Sequence, residues 1–371
     1  MNTRFLRRSI ALPIVLLAAW LGLLGSAHAV EVTDVLGRKV EVPGEPKRVV
    51  LGEGRLFFAL ALLDREAPFQ RVVGWQNDMR LLDPHTYEVY ARQYPAIADI
   101  PLIGQASEQS VSVEQILSLK PDLAVFSIAG EGPTQHSPVA DLLIKAGIPV
   151  LFIDFRVHPI RNTRVSLEAL GRVLGREAEA RQYLSFYDRH LARITDGVAQ
   201  IPETERPKVF LELLAGVWQA PGHTTGKSGL GSVVEAVGGR NIAAGVVPGA
   251  LGDVSVEYVL TADPDIYIAT GNRIPGVLLG AGVDEQTARD SLAKITARPE
   301  FAPLRPIQAG QAHGLWHDFY NSPFNILAIE AMARWIHPER FADLDPQATM
   351  AEVNDFLAVG LDGHYWIDAK P

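Results

Sequence analysis

The chain has 371 residues, 47% hydrophobic and 21% charged, with 32 Gly and 25 Pro, a balance that fits roughly two globular domains and excludes disordered or collagen-like structure. Lys and Arg total 34 against 43 Asp and Glu, for a net charge of -9, so no basic footprint for nucleic acid is present. With no cysteine, disulfides, thiolate metal sites, a cysteine nucleophile and a lipidated cysteine are all excluded.

In chain order, Arg4, Arg7 and Arg8 precede an apolar run from Ile10 to Leu24 and then Ala27-His28-Ala29. The run is too short to span a bilayer comfortably and ends in an A-x-A pattern, which predicts a cleaved secretory signal peptide over residues 1–29. Cleavage removes three arginines and leaves 342 residues at a net charge of -12. An acidic, soluble protein free in the periplasm is expected.

Short β-branched runs then alternate with helical patterns, the signature of α/β units around mostly parallel sheets. A first group of strands is predicted at Val49 to Leu51, Val72 to Trp75, Leu123 to Ser127 and Val150 to Asp154. A second is predicted at Val209 to Leu213, Ile266 to Thr270 and Gly314 to Trp316. Between them Tyr183, Leu184, Tyr187, Leu191, Ile194 and Val198 recur at helical spacing, predicting one long helix from Arg176 to Ala199 after a shorter one ending near Gly175. The division is therefore a first lobe over 30–158, a helical linker over 159–202 and a second lobe over 203–371.

A repeat links the two groups at an offset of 143 residues. Val111-Ser112-Val113-Glu114-Gln115-Ile116-Leu117 through Pro121-Asp122 aligns with Val254-Ser255-Val256-Glu257-Tyr258-Val259-Leu260 through Pro264-Asp265, with seven of twelve positions identical. Each copy reads as a short helix capped by serine, stopped near proline and followed by a strand. Val113, Ile116 and Leu117, like Val256, Val259 and Leu260, form the apolar stripe, which leaves Glu114 and Glu257 facing solvent.

These segments, with the opening Val32-Thr33-Asp34-Val35-Leu36-Gly37-Arg38, Pro46-Lys47-Arg48-Val49-Val50 and the closing Asn321-Ser322-Pro323 and His337-Pro338-Glu339-Arg340-Phe341, resemble the periplasmic substrate-binding proteins of ABC importers for ferric siderophores, haem and cobalamin. The resemblance implies an α/β fold of two Rossmann-like lobes joined by one long α-helix, with little lobe movement and ligand held in the cleft between them. It implies that Glu114 and Glu257 dock on arginines of the permease subunits in the inner membrane, a task suited to directional carboxylate–guanidinium pairing. It also implies a monomer that carries iron as a bound chelate, without a resident cofactor and without enzymatic chemistry. Haem and cobalamin remain alternatives on the same scaffold. In haem-binding relatives a tyrosine commonly follows the glycine before the repeat helix, whereas here Gln105 follows Gly104.

Ligands of open α/β sheets sit beyond the carboxyl ends of the strands. That places Arg55, Trp75, Gln76 and Gln105 of the first half, and Trp218, Arg273, His317 and Tyr320 of the second, in the expected site. Arg55 and Arg273 would meet the charge of an anionic chelate, and Trp75, Trp218 and Tyr320 would supply flat contact. Trp316 reads as core.

Three tempting motifs fail or weaken. Pro221-Gly222-His223-Thr224-Thr225-Gly226-Lys227-Ser228 has Pro where a phosphate-binding loop needs its first Gly, and Gly226-Lys227-Ser228-Gly229-Leu230 has Leu where a nucleophile elbow needs Gly. His313 and His317 stand four apart, but Gly314-Leu315-Trp316 favours a strand, on which they would lie roughly 13 Å apart. Direct binding of a free metal ion is the weaker alternative.

Overall fold

The computed structural model describes residues 29–128 and 137–369. Apart from Ala29, the expected signal peptide lies outside the described residues. Among those described, no helix is long and apolar enough to cross a membrane.

Two five-stranded sheets form the lobes. The first is wholly parallel, in the spatial order Leu102–Gly104, Val72–Gln76, Val49–Leu51, Leu123–Ser127, Val150–Ile153. Every residue of its last three strands is buried, because helices cover both faces and the strands must be apolar throughout rather than alternating. The second runs Arg240–Asn241, Lys208–Glu212, Ile266–Gly271, Ala312–Trp316, Trp366–Asp368, with only the last strand antiparallel. Numbered by chain order within each sheet, these are 3-2-1-4-5 and 2-1-3-4-5, two doubly wound arrangements, each with a switch point beside its first strand.

Between the sheets lie the helices Pro159–Leu174 and Glu177–Val198. Proline opens the first helix, and Gly175, with φ 65, ends it in the left-handed region. A Cβ on Gly171 would lie 2.7 Å from that of Ala180, so this glycine lets the two helices close on each other. The 22-residue second helix is about 33 Å long at 1.5 Å per residue.

Tyr183 donates from its hydroxyl to the Pro323 carbonyl at 2.8 Å, and Tyr187 donates to Asn325 Oδ1 at 2.9 Å. Asn325 in turn donates to Thr163 Oγ1 at 2.9 Å. The Asn321-Ser322-Pro323 stretch thus leads into the second lobe's anchor on both linker helices. An aromatic seam also crosses between lobes, with Phe58 against Trp316 at 6.2 Å and Phe324 at 5.3 Å.

The repeat forms the helices Val113–Ser118 and Val256–Ala262, each capped by its serine: Ser112 Oγ accepts from the Gln115 N–H at 3.2 Å, and Ser255 Oγ from the Tyr258 N–H at 3.1 Å. Glu114 and Glu257 are exposed, one on each lobe. The expected apolar stripe needs correction: Leu117 is 41% and Leu260 42% exposed. Each helix is less than two turns long, and only Ile116 or Val259 is fully buried, so the leucine is carried past the sheet.

Candidate ligand-binding cleft

A cavity of about 190 Å³ lies between the lobes, beside the switch-point strand Lys208–Glu212 of the second sheet and the edge strand Val150–Ile153 of the first. Its polar wall is Arg156, His223, His317 and Tyr320, and its apolar wall includes Leu213, Trp218, Leu230 and Leu251. A larger hollow of about 350 Å³ against Asp64 and Arg176 lies away from the carboxyl ends of both sheets, so the smaller cavity is the candidate site.

Trp218 is half-exposed and leans on His223, with ring centroids 4.9 Å apart. Tyr320 lies beneath two guanidiniums, those of Arg156 at 5.3 Å and Arg55 at 5.7 Å from its ring centre. His317 is buried beside Thr270 Oγ1, 2.9 Å from its Nδ1. Burial pushes its imidazole down to about 3 despite the opposing pull of Asp318, and Arg55 and Arg273 add to the effect. It is neutral at physiological pH.

Arg55 belongs to the floor of the cleft rather than to its open wall. Its Nε donates to Asp78 at 2.9 Å, and its Nη1 donates to Asp318 at 2.7 Å and to the Tyr320 hydroxyl at 3.0 Å. Because these carboxylates already meet its charge, the expectation of a guanidinium waiting for an anionic chelate is corrected. Arg273 donates from Nη1 to the Leu82 carbonyl at 3.2 Å. It bridges the lobes on the far side and does not line the cavity.

Three other expectations also change. Trp75 is 1% exposed, covered by Phe57, Phe69 and Tyr87, because it lies within Val72–Gln76, an interior strand of the first sheet. Gln76 is buried and donates from Nε2 to the Ser107 carbonyl at 2.9 Å. Gln105 is exposed and accepts from Asn77 Nδ2 at 3.0 Å. All three lie toward the Leu102–Gly104 edge of the sheet, whereas the cavity opens beside the opposite edge, after Val150–Ile153. His313 stacks on Trp335 at 4.5 Å and pairs with Asp368 at 2.7 Å, separate from His317.

Arg156 is the central residue that the sequence reading did not assign to the site, and its partner is Glu53. Glu53 accepts from Arg156 and from the Ser127 hydroxyl. Asp154 folds the chain back so that Arg156 faces the cleft, accepting the N–H groups of Arg156 and Val157 at 2.8 and 2.7 Å. The strand-end rule contained the signal, since Arg156 follows the predicted strand Val150 to Asp154.

Residues 80–314 match the sequence profile of the periplasmic binding protein family. The chain belongs to that family. Its fold superposes on a TroA-like periplasmic binding protein, FepB, from Veillonella parvula with a TM-score of 0.81 and 26% identity, covering 91% of this chain and 99% of that one. In sequence it is 30% identical over 170 residues to a vitamin B12-binding protein of Yersinia pestis, a match covering 45% of this chain and 55% of that protein. It is 28% identical over 241 residues to a cobalamin-binding protein of Halobacterium salinarum, covering 63% of this chain and 57% of that one. The chain therefore spans little more than half the length of these curated relatives. Family and two-lobed α/β fold agree with the resemblance carried by the repeat and the terminal motifs.

Proposed function

We propose that this is an exported, monomeric periplasmic protein that captures a ferric siderophore or similar metal chelate between its lobes. It would deliver the cargo unaltered to an ABC importer of the inner membrane. The observation that carries this reading is the cleft cavity between the carboxyl ends of the two sheets, lined by the aromatic rings of Trp218 and Tyr320 and by Arg156, His223 and His317. At about 190 Å³ it is smaller than the roughly 300–1,000 Å³ usual for enclosed ligand sites. A bulky chelate would insert one face and leave the other open, a suitable grip for cargo that must be handed on.

A corrinoid is the second reading, favoured by the names of the Yersinia and Halobacterium relatives. Either cargo leaves Glu114 and Glu257 to meet the permease. The test is a titration of the mature protein with ferric siderophores, cobalamin and haem, followed by calorimetry. Saturable binding of one of them, with the ligand recovered unchanged, supports the reading. No binding across the panel, together with turnover of a hydrolase substrate, overturns it.

A further inference from the structure

We infer that the cleft selects a metal chelate that carries no net negative charge, a conclusion resting on the chelate-capture reading above. The basis is the pairing of its cations. Among the described residues lining the cavity, Arg156 is the single Lys or Arg, and it is bound to Glu53. Behind it, Arg55 sits between Asp78 at 2.9 Å and Asp318 at 2.7 Å, with Glu53 at 3.8 Å. Two guanidiniums therefore face three carboxylates.

The neighbouring groups do not change that balance. His317 is neutral because it is buried. His223 lies 3.0 Å from Asp253, so another carboxylate stands at the rim. Asn272 donates to Asp318 from Nδ2 at 2.8 Å, and Arg273, turned to the Leu82 carbonyl away from the cavity wall, brings the count to three guanidiniums against four carboxylates with Asp253 included. A polyanionic chelate entering here would lose hydration and find no uncompensated cation among the described residues of the cavity wall, while approaching carboxylates of its own sign.

A neutral or singly cationic chelate meets a different surface. Leu213, Trp218, Leu230 and Leu251 give it apolar contact, and the excess carboxylate leaves the field mildly attractive to a cation. Ferric trihydroxamates and corrinoids have this character, and ferric tris-catecholates do not.

The test is calorimetry on the mature protein with four probes: a neutral cyclic ferric trihydroxamate, a cationic linear one, cobalamin and a triply negative ferric tris-catecholate. At least one uncharged or cationic probe is expected to bind roughly ten-fold or more tightly than the tris-catecholate. In Glu53→Gln, which releases Arg156 from its carboxylate, the tris-catecholate should gain affinity relative to that probe. Tightest binding of the tris-catecholate by the unaltered protein overturns the inference while leaving chelate capture standing. Failure of all four, with haem also unbound, removes capture itself and this selectivity with it.

Discussion

Arg55 of the first lobe and Asp318 of the second are joined by an ion pair at 2.7 Å, with both side chains almost wholly withdrawn from solvent. Their pairing joins elements 263 residues apart in the chain. Burial opposes ionisation of Asp318 most strongly, but the charge of Arg55, the neighbouring His317 and the hydrogen bonds from Arg55 and Asn272 together hold its carboxyl below the ordinary range. Such a pair is worth little beside a well-packed apolar substitute, but breaking it strands a buried charge.

Asp318→Ala should therefore destabilise the protein by roughly 3 kcal/mol, the cost of leaving a buried guanidinium short of one partner. Arg55→Met combined with Asp318→Leu should cost less than the sum of the two single changes. Urea unfolding of the four proteins measures the coupling. Additive losses would mean that the pair does not hold the lobes together.

Much of the fold was legible because its strands are apolar runs bounded by turns. Leu123–Ser127 occupies the positions expected for it, and the linker helices divide at Gly175. Leu102–Gly104, Arg240–Asn241 and Trp366–Asp368 went unseen because strands of two or three residues carry no period and, unlike Val49–Leu51, these are not uninterrupted apolar runs. In the candidate site, the position of Trp218 and Tyr320 on the cavity wall was readable from their place after strands. The state of Arg55 was not, because its partners Asp78 and Asp318 are distant in sequence and only packing brings them together. Trp75 misled for a related reason: the last residues of a strand can point into the lobe or out of it, and neighbouring Phe57 and Phe69 decide which.

Trp218 is the exposed tryptophan of the described residues, whereas Trp75 and Trp316 are deeply buried. Binding of a chelate should quench chiefly Trp218. Trp218→Phe should lose most of the fluorescence response while keeping affinity within a few-fold, and Trp218→Ala should weaken binding roughly ten-fold, about 1.4 kcal/mol of lost ring contact. Calorimetry beside fluorescence separates signal from affinity. Full quenching in Trp218→Phe would place the ligand elsewhere.

Two buried groups give stability opposite slopes with pH. Burial, aided by Asp318, pushes Asp83 up from 3.8 to about 7. Between those values the folded chain keeps a proton that the unfolded chain has released, so stability falls as pH rises. His317, pushed down from 6.5 to about 3, acts in reverse: as pH falls through that window the unfolded chain takes up a proton first, and stability is lost. Asp83→Asn should remove the first slope. Asparagine still caps the helix Pro84–Gln93, whose Thr86 N–H Asp83 accepts at 3.4 Å, and its amide offers a donor at Oδ2, which is buried without a partner. The variant should exceed the parent by roughly 1–3 kcal/mol at pH 8 and show no advantage near pH 4. Urea unfolding at both pH values decides it, and equal differences at both would assign Asp83 no proton.

Glu114 and Glu257 stand on matched helices, each with a leucine three residues later that is also exposed, Leu117 or Leu260. On a helix, residues three apart share a face, so each lobe presents one acid beside one apolar side chain. The residue's own backbone N–H, and next the hydroxyl of Ser255, hold the Glu257 carboxyl below the usual range, which keeps it ionised for a guanidinium. If these faces seat on the two permease subunits, Glu114→Ala with Glu257→Ala should abolish most uptake while leaving chelate affinity intact. Leu117→Ser with Leu260→Ser should reduce uptake less, because a leucine contributes area without direction. Uptake in cells and calorimetry on the purified variants test both. Lost chelate affinity in either pair would show that these helices serve the cleft instead of the membrane partner.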